Sequence, residues 1–359
     1  MVGIVRTHFH CIANSPCKAR RRTSARKASG LIRAESAGDA ERHLFCFGIG
    51  GYTARGLTNT LLQSGWRVSG ACRSKPMRDA LLEAGVDAHM WNPDDETGLS
   101  DLGLQALADA THICSTVPPT ADFSKDPVLL CHRSELCEAA AHERLCWVGY
   151  LSSTSVYGDH QGDWVNESSK LLPVTPTACA RAAAEEAWIQ LHATHEVPVH
   201  VFRLGGIYGP GRSALDAAQK KMTDPRRQPS ASQKRRGTKR YTSRCHVDDI
   251  CTTLHASMQA PSPGRIYNVI DDDPAPRGIV MGFARSLLDP AAAAPLAGGE
   301  PAGLQMGRSP RGGADEKRVR NQRIKEELGV QLAFPNYRVG LQAIVQGDIR
   351  PFGRPSWRE

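Results

Sequence analysis

A doubly wound α/β fold on a parallel sheet is what this sequence predicts, from three observations. Between His43 and Gly211, short apolar runs alternate with single helical patterns. Strands separated by one helix each must pair in parallel, through right-handed crossovers. The first run, "HLFCFGIG", ends in glycines 48, 50 and 51 directly before a helical pattern. After Gly211 the alternation breaks, which predicts a smaller C-terminal subdomain beside the sheet.

The elements follow in order. "TARGLTNTLLQSG" is a helix with Leu57, Leu61 and Leu62 on one face and Gly65 as its stop. "WRVSGACR" is the second strand, and "PMRDALLEAG" a helix opened by Pro76 and closed by Gly85. "VDAHMW" is the third strand, "LGLQALADA" a helix, and "THICSTVPP" a fourth strand broken by paired prolines. "PVLLCHRSELCEAAAHE" is a helix and "CWVGYLSS" the fifth strand. "ARAAAEEAWIQLHATH" is a strong helix and "VPVHVFRLGGIYG" the sixth strand. Beyond it come a helix in "HVDDICTTLHASMQ", with Asp248 as its expected cap, a strand in "RIYNVID" and a terminal helix in "EKRVRNQRIKEELG". "PAAAAPLAGGEPAG" is low in complexity. The domain boundaries predicted are 1–42 for a leader, 43–211 for the first domain, and 212–350 for the subdomain and remaining strands.

In "GIGGYTA", Gly48, Gly51 and Ala54 stand at G-x-x-G-x-x-A spacing between a strand and a helix. A pyrophosphate needs this: a tight turn, backbone that approaches without a Cβ, and helix N–H groups aimed at the anion. Gly48, Gly51, Tyr52, Thr53 and Ala54 are therefore candidate dinucleotide contacts, on a Rossmann-type NAD(P)-binding fold. An acid at the end of the second strand would hold the ribose 2′-OH of NAD, whereas an Arg suits the 2′-phosphate of NADP. This chain reads Arg73-Ser74-Lys75 there, with Arg55 in reach, so NADP is the expected cofactor and NAD the alternative. Val117, in "STVPP", is a further candidate contact.

The order of "GIGGYTA", "LSSTSVYGD", "RLGGIYGPGR", "HVDDI" and "IYNVIDD", closed by "KRVRNQRIKEELG" and "YRVGL", resembles an extended, atypical short-chain dehydrogenase/reductase of the NAD-dependent epimerase/dehydratase family. The resemblance covers most of residues 44 to 345. It implies that Ser153 polarises a substrate oxygen. It also implies a Tyr four residues before a Lys, the Tyr as acid/base and the Lys on the nicotinamide ribose. This chain departs from the pattern: Thr177 stands at the Tyr position and Arg181 at the Lys position. A threonine hydroxyl titrates far above a phenol and an arginine stays charged, so Arg181 is expected to hold ribose or phosphate while the proton relay is lost or moved. Tyr157 and Tyr208 are candidate substitutes, Tyr208 also as a nicotinamide-side contact, with Asp159 and Glu167 as alternative acids. For both tyrosines, packing with a satisfied hydroxyl is the competing reading. His246, Arg203 and Arg244 are candidate substrate contacts, with surface ion pairs the alternative for the arginines.

The net charge of +8 is unevenly spread. Residues 1–42 carry nine Lys/Arg against three acids, and without them the charge falls to +2. A leader rich in Arg, Ser and Ala with no acid before Glu35 reads as an organellar transit peptide, chloroplast before mitochondrion. In the basic loop 219–241, nine Lys/Arg face one acid, Asp224. That composition fits a disordered surface loop, a lid over an anionic substrate, or a polyanion contact; a single flanking aromatic, Tyr241, argues against specific nucleic-acid binding. Eleven scattered cysteines show no zinc spacing, so no metal is expected. No run approaches the ~20 apolar residues of a membrane span.

Two functions fit. One is an NADP-linked oxidoreductase or epimerase acting on a small anionic or sugar-derived metabolite. The other is a non-catalytic NADP-binding scaffold or assembly factor. The expected partner is an unidentified small molecule, with a homodimer as an option for assembly.

Overall fold

A computed structural model describes residues 42–353, apart from 96, 121–124, 143, 225, 227, 229–236, 238 and 290–315. The expected transit peptide, the Ala/Pro/Gly stretch and the middle of the basic loop lie outside the described residues. From Glu41 onward the chain forms one unit.

Seven parallel strands make the central sheet. In chain order they are β1 (His43–Phe47), β2 (Arg67–Cys72), β3 (Asp87–Met90), β4 (His112–Ser115), β5 (Trp147–Ser153), β7 (Val199–Leu204) and β10 (Ile266–Val269). Their spatial order is β10-β7-β5-β4-β1-β2-β3. The chain winds outward from β1 to β3, then returns to β4 on the other side of β1. This reversal opens a crevice at the C-terminal ends of β1 and β4, the usual ligand position in such sheets.

Helices cover both faces. The helices α1 (Tyr52–Gln63) and α7 (Val247–Gln259) pack Leu57, Leu61, Ile250 and Leu254 on one face. On the other, α3 (Asp101–Ala108), α4 (Pro127–Ala141) and α5 (Pro176–His195) contribute Leu107, Val128, Leu136, Trp188 and Leu191. Burial on both faces explains why the strands read as continuous apolar runs rather than alternating ones. A further helix, α2 (Lys75–Glu83), joins β2 to β3.

The C-terminal part adds α6 (Ala214–Thr223), α8 (Arg277–Leu288), α9 (Gln322–Glu327) and α10 (Tyr337–Val345). Leu215, Ala218, Val280, Ala284, Tyr337 and Leu341 make its own small core. Among the described residues, no helix is long and apolar enough to cross a membrane.

Three readings of the sequence need correction. The sixth strand does not run through to Gly209: it breaks at Gly205, and the remainder forms β8 (Gly206–Tyr208), which leaves the sheet to pair with β9 (Arg244–His246). A Cβ at residue 205 would lie 2.8 Å from Ile270 and 3.0 Å from the Ser243 carbonyl, so this crossing needs glycine. The terminal helix is preceded by β11 (Arg318–Val319), which pairs with β6 (Trp164–Val165). Two-residue strands leave no periodicity to read. Finally, His246 rather than Asp248 is the cap of α7, its Nδ1 accepting from the Asp248 N–H at 3.2 Å. Asp248 sits in the first turn, 3.8 Å from Arg350.

Candidate functional site

At the mouth of the crevice, β1 ends in a turn. Gly48 has φ +78°, and a Cβ there would lie 2.6 Å from Thr116 Oγ1. The Gly51 N–H donates to the Gly48 carbonyl at 2.9 Å, closing the turn. Gly51 then caps α1 with no side chain to accept from the leading N–H groups, and the first turn holds no acid. By contrast Ser100, Asp126, Thr175 and Ser213 cap their helices through side-chain oxygens. The N–H groups of Tyr52, Thr53 and Ala54 have no side-chain cap, as is also true at the starts of α2, α8 and α9, and at this glycine turn an anion fits them. Thr116 Oγ1 lies 3.1 Å from the carbonyls of both Phe47 and Gly48 and braces the turn; buried Val117 packs beside it. Thr116 was missed in the sequence because its part is tertiary.

The end of β2 carries Arg73, whose side chain is 69% exposed and whose guanidinium lies 3.9 Å from Asp94. Ser74 caps α2 through its backbone only, so its hydroxyl is left over. Arg73 and Ser74 thus stand side by side at the end of β2, with Asp94 facing the guanidinium.

A cavity of about 900 Å³ opens beside the end of β5, β8 and α6. Ser153, at the end of β5, faces it. Ser153 Oγ caps a short 3₁₀ turn, Thr154–Tyr157, accepting from the Ser155 N–H at 3.2 Å. Eight Lys and Arg side chains line the cavity, among them Arg212, Arg244, Arg277, Arg285 and Lys317. Among the described lining residues the sole carboxylate, Asp216, is occupied in a capping box, accepting from the Ser213 N–H at 2.7 Å and hydroxyl at 2.6 Å. Lys220, Lys221 and Lys239, which flank the undescribed part of the basic loop, also line it. Arg277 and Arg285 lie eight residues apart on one face of α8; the sequence reading passed over them as an ordinary helix surface.

The remaining candidates divide. Arg244 lines the cavity but is nearly buried, donating to the carbonyls of Ala275 at 2.7 Å and Asp273 at 3.2 Å. Tyr208 lines it too; its ring packs on Gly340 and its hydroxyl lies 3.4 Å from the Asn336 carbonyl. Burial raises its pKa strongly, so it stays a neutral phenol.

Arg203 and Tyr157 are corrected from site residues to core. Arg203 is 3% exposed and grips Glu185 at 2.8 Å. Burial opposes its charge, but the Glu185 bonds and charge prevail and raise its pKa. Tyr157 is fully buried, donating to Asn268 Oδ1 at 2.8 Å and accepting from Arg203 at 2.9 Å, with burial pushing its pKa up. Glu185 also accepts from the Ser152 hydroxyl, which completes the network.

His246 is likewise no substrate contact. It is 1% exposed, its ring centroid lies 3.8 Å from that of Phe334, and burial lowers its pKa to about 4. The alternative acids are spent on structure: Asp159 accepts from the Gln161 and Glu316 N–H groups, and Glu167 from the Asn268 N–H.

At the start of α5, Thr177 is exposed and its hydroxyl pairs with that of Thr175 at 3.1 Å. Arg181 folds back on the sheet, donating to the Leu151 carbonyl at 2.9 Å and the Tyr150 hydroxyl at 3.4 Å. Neither residue lines the cavity.

Comparison with known proteins agrees with this geometry. Residues 45–269 match the model of the NAD dependent epimerase/dehydratase family. A conserved protein of unknown function from Silicibacter pomeroyi is 36% identical, with 86% of this chain and 99% of that one covered at a TM-score of 0.65. Protein YeeZ of Escherichia coli K12 is 29% identical over 220 residues, 61% of this chain and 74% of YeeZ. The NAD complex of UDP-glucuronic acid 4-epimerase from Bacillus cereus covers 85% of this chain and 96% of its own, at TM-score 0.61 and 16% identity, a likeness of fold alone. The chain belongs to the NAD-dependent epimerase/dehydratase family.

Proposed function

We propose that this family member binds NADP at the glycine turn and accepts a small anionic or sugar-derived metabolite in the adjoining cavity, as an oxidoreductase or epimerase. The observation that carries the reading is the cavity itself: about 900 Å³ with, among its described lining residues, eight cationic side chains and a single carboxylate engaged elsewhere, and Ser153 at its wall. Such a lining concentrates anions and remains charged at any physiological pH.

The roles follow from the side chains. The uncapped N-terminus of α1 takes the pyrophosphate, and Arg73 with Ser74 takes the 2′-phosphate. A bound nicotinamide supplies or accepts a hydride. Ser153 accepts an amide hydrogen on its oxygen, which leaves its own O–H to donate to a substrate oxygen.

A second reading, a non-catalytic NADP-binding scaffold or assembly factor, is favoured by one observation. Arg181 is engaged on the Leu151 carbonyl, Thr177 on Thr175, and both substitute tyrosines are too strongly buried to give up their protons.

One assay separates the two. NADPH oxidation is followed with a panel of sugar nucleotides and phosphorylated metabolites, with Ser153→Ala in parallel. Turnover that Ser153→Ala abolishes supports the enzyme; tight binding with no turnover by any of the panel supports the scaffold. We also propose a plastid destination, on the composition of residues 1–42; a reporter fused to them should enter chloroplasts, and cytosolic signal would refute it.

A further inference from the structure

Tyr52 belongs to two places at once. Its backbone opens α1, the helix whose N-terminus faces the cofactor phosphates. Its side chain reaches across to the loop 209–212, more than 150 residues away in sequence, and donates to the Pro210 carbonyl at 3.0 Å. The Arg212 guanidinium carbon lies 5.3 Å from the centre of its ring. Arg212 in turn lines the cationic cavity.

The loop is shaped around this phenol. A Cβ on Gly209 would lie 2.6 Å from Tyr52 Oη and 2.6 Å from Val247, so only glycine lets the loop come this close. Gly211 has φ +74°, and Gly209 and Arg212 exchange backbone hydrogen bonds at 3.1 and 3.0 Å. The ring also meets Phe352, at 4.9 Å between centroids. Displacing the start of α1 therefore displaces the loop, and with it a cation of the cavity.

We infer that Tyr52 is a positioning residue that couples the two sites, so that a dinucleotide at the glycine turn and an anion in the cavity each raise the affinity for the other. The inference rests on the functional reading above for the location of both ligands. Coupling of this kind is reciprocal by thermodynamic necessity. A phenol bonded to one loop and stacked by its cation is a short mechanical link between them, and no longer pathway is needed.

The test uses the full chain, with NADPH and glucose 1-phosphate as probes. Glucose 1-phosphate is titrated with and without saturating NADPH against wild type, Tyr52→Phe, Arg212→Gln and the double variant. Wild type should bind glucose 1-phosphate more tightly when NADPH is present. Tyr52→Phe, which loses only the hydroxyl, should weaken glucose 1-phosphate about fivefold and remove the NADPH effect. The double variant should be no weaker than Arg212→Gln alone, because both act through one cation. Effects that multiply, an NADPH effect that survives in Tyr52→Phe, or a wild type that fails to bind glucose 1-phosphate would each overturn the inference. If NADPH does not bind but glucose 1-phosphate does, the cofactor reading fails with the coupling, and the double-variant cycle still reports whether Tyr52 sets Arg212. An unchanged melting temperature for Tyr52→Phe separates positioning from loss of fold.

Discussion

The start of α1 and the start of α5 are both helix entrances at the C-terminal edge of one parallel sheet, and they are used in opposite ways. At α1 the protein withholds its side chains: glycines shape the turn, no side-chain cap is supplied, and the leading N–H groups stay open to an anion. At α5 the protein spends them: Thr175 caps the helix, Thr177 bonds to Thr175, and Arg181 bonds to the sheet. We propose that binding a dinucleotide and moving a proton are separable tasks on this scaffold. The first needs backbone geometry, which survives substitution of surface residues; the second needs two particular side chains, which two changes can remove.

The largest effect should come from breaking the first entrance. Gly48→Val forces a β-branched residue into a left-handed backbone and against Thr116, and should cost about a hundredfold in NADPH affinity by titration. A circular dichroism spectrum like that of wild type would show that the sheet persists.

Stability should follow pH through buried histidines outside the glycine turn. His112, His200 and His246 have an ordinary pKa of 6.5, and burial lowers each to about 4 in the folded chain. The unfolded chain therefore takes up protons first as pH falls. The stability these neutral rings allow is present above pH 6.5 and is lost between 6.5 and 4, by roughly 1 kcal/mol for each histidine at pH 5.5. Urea unfolding at pH 7.5 and 5.5 measures it. NADPH affinity should change far less over the same range, because the glycine turn contains no titratable side chain except Tyr52, whose pKa burial raises further.

Arg73→Ala should sharpen the comparison from the cofactor side. It should weaken NADPH about tenfold while leaving NADH nearly unchanged, since a charge-assisted bond to a phosphate is lost and a ribose hydroxyl never used it. Equal losses for both cofactors would remove the 2′-phosphate assignment. The smallest effect is expected at Arg181: Arg181→Ala should alter NADPH affinity by less than about twofold, as its guanidinium is already committed to Leu151.

The comparison also explains what could be read from the sequence. The sheet and the glycine turn were legible because they rest on periodicity and on residues with singular backbone freedom, such as Gly48 and Gly51. The placing of Thr177 and Arg181 at the Tyr and Lys positions rests on the resemblance alone; the structure adds that both side chains are engaged away from the cavity. Arg203, Tyr157 and His246 were misread because burial decides between a site and a core, and each lies in a stretch beside true cavity residues. Arg203 is buried on β7 against Glu185, whereas the cavity lining begins at Gly205. The cavity itself was only half legible: the basic run at 219–241 signalled charge, but Arg212, Arg277, Arg285 and Lys317 converge from separate elements that only the fold brings together.

The most direct test of the account is a calorimetric titration of the full chain with NADPH and then NADH. Saturable binding with NADPH the tighter, unchanged in a Thr177→Tyr/Arg181→Lys variant, is the predicted result. No saturable binding of either, or binding that appears only when the Tyr and Lys are restored, would contradict the claim that this protein kept its cofactor site while its proton relay was given up.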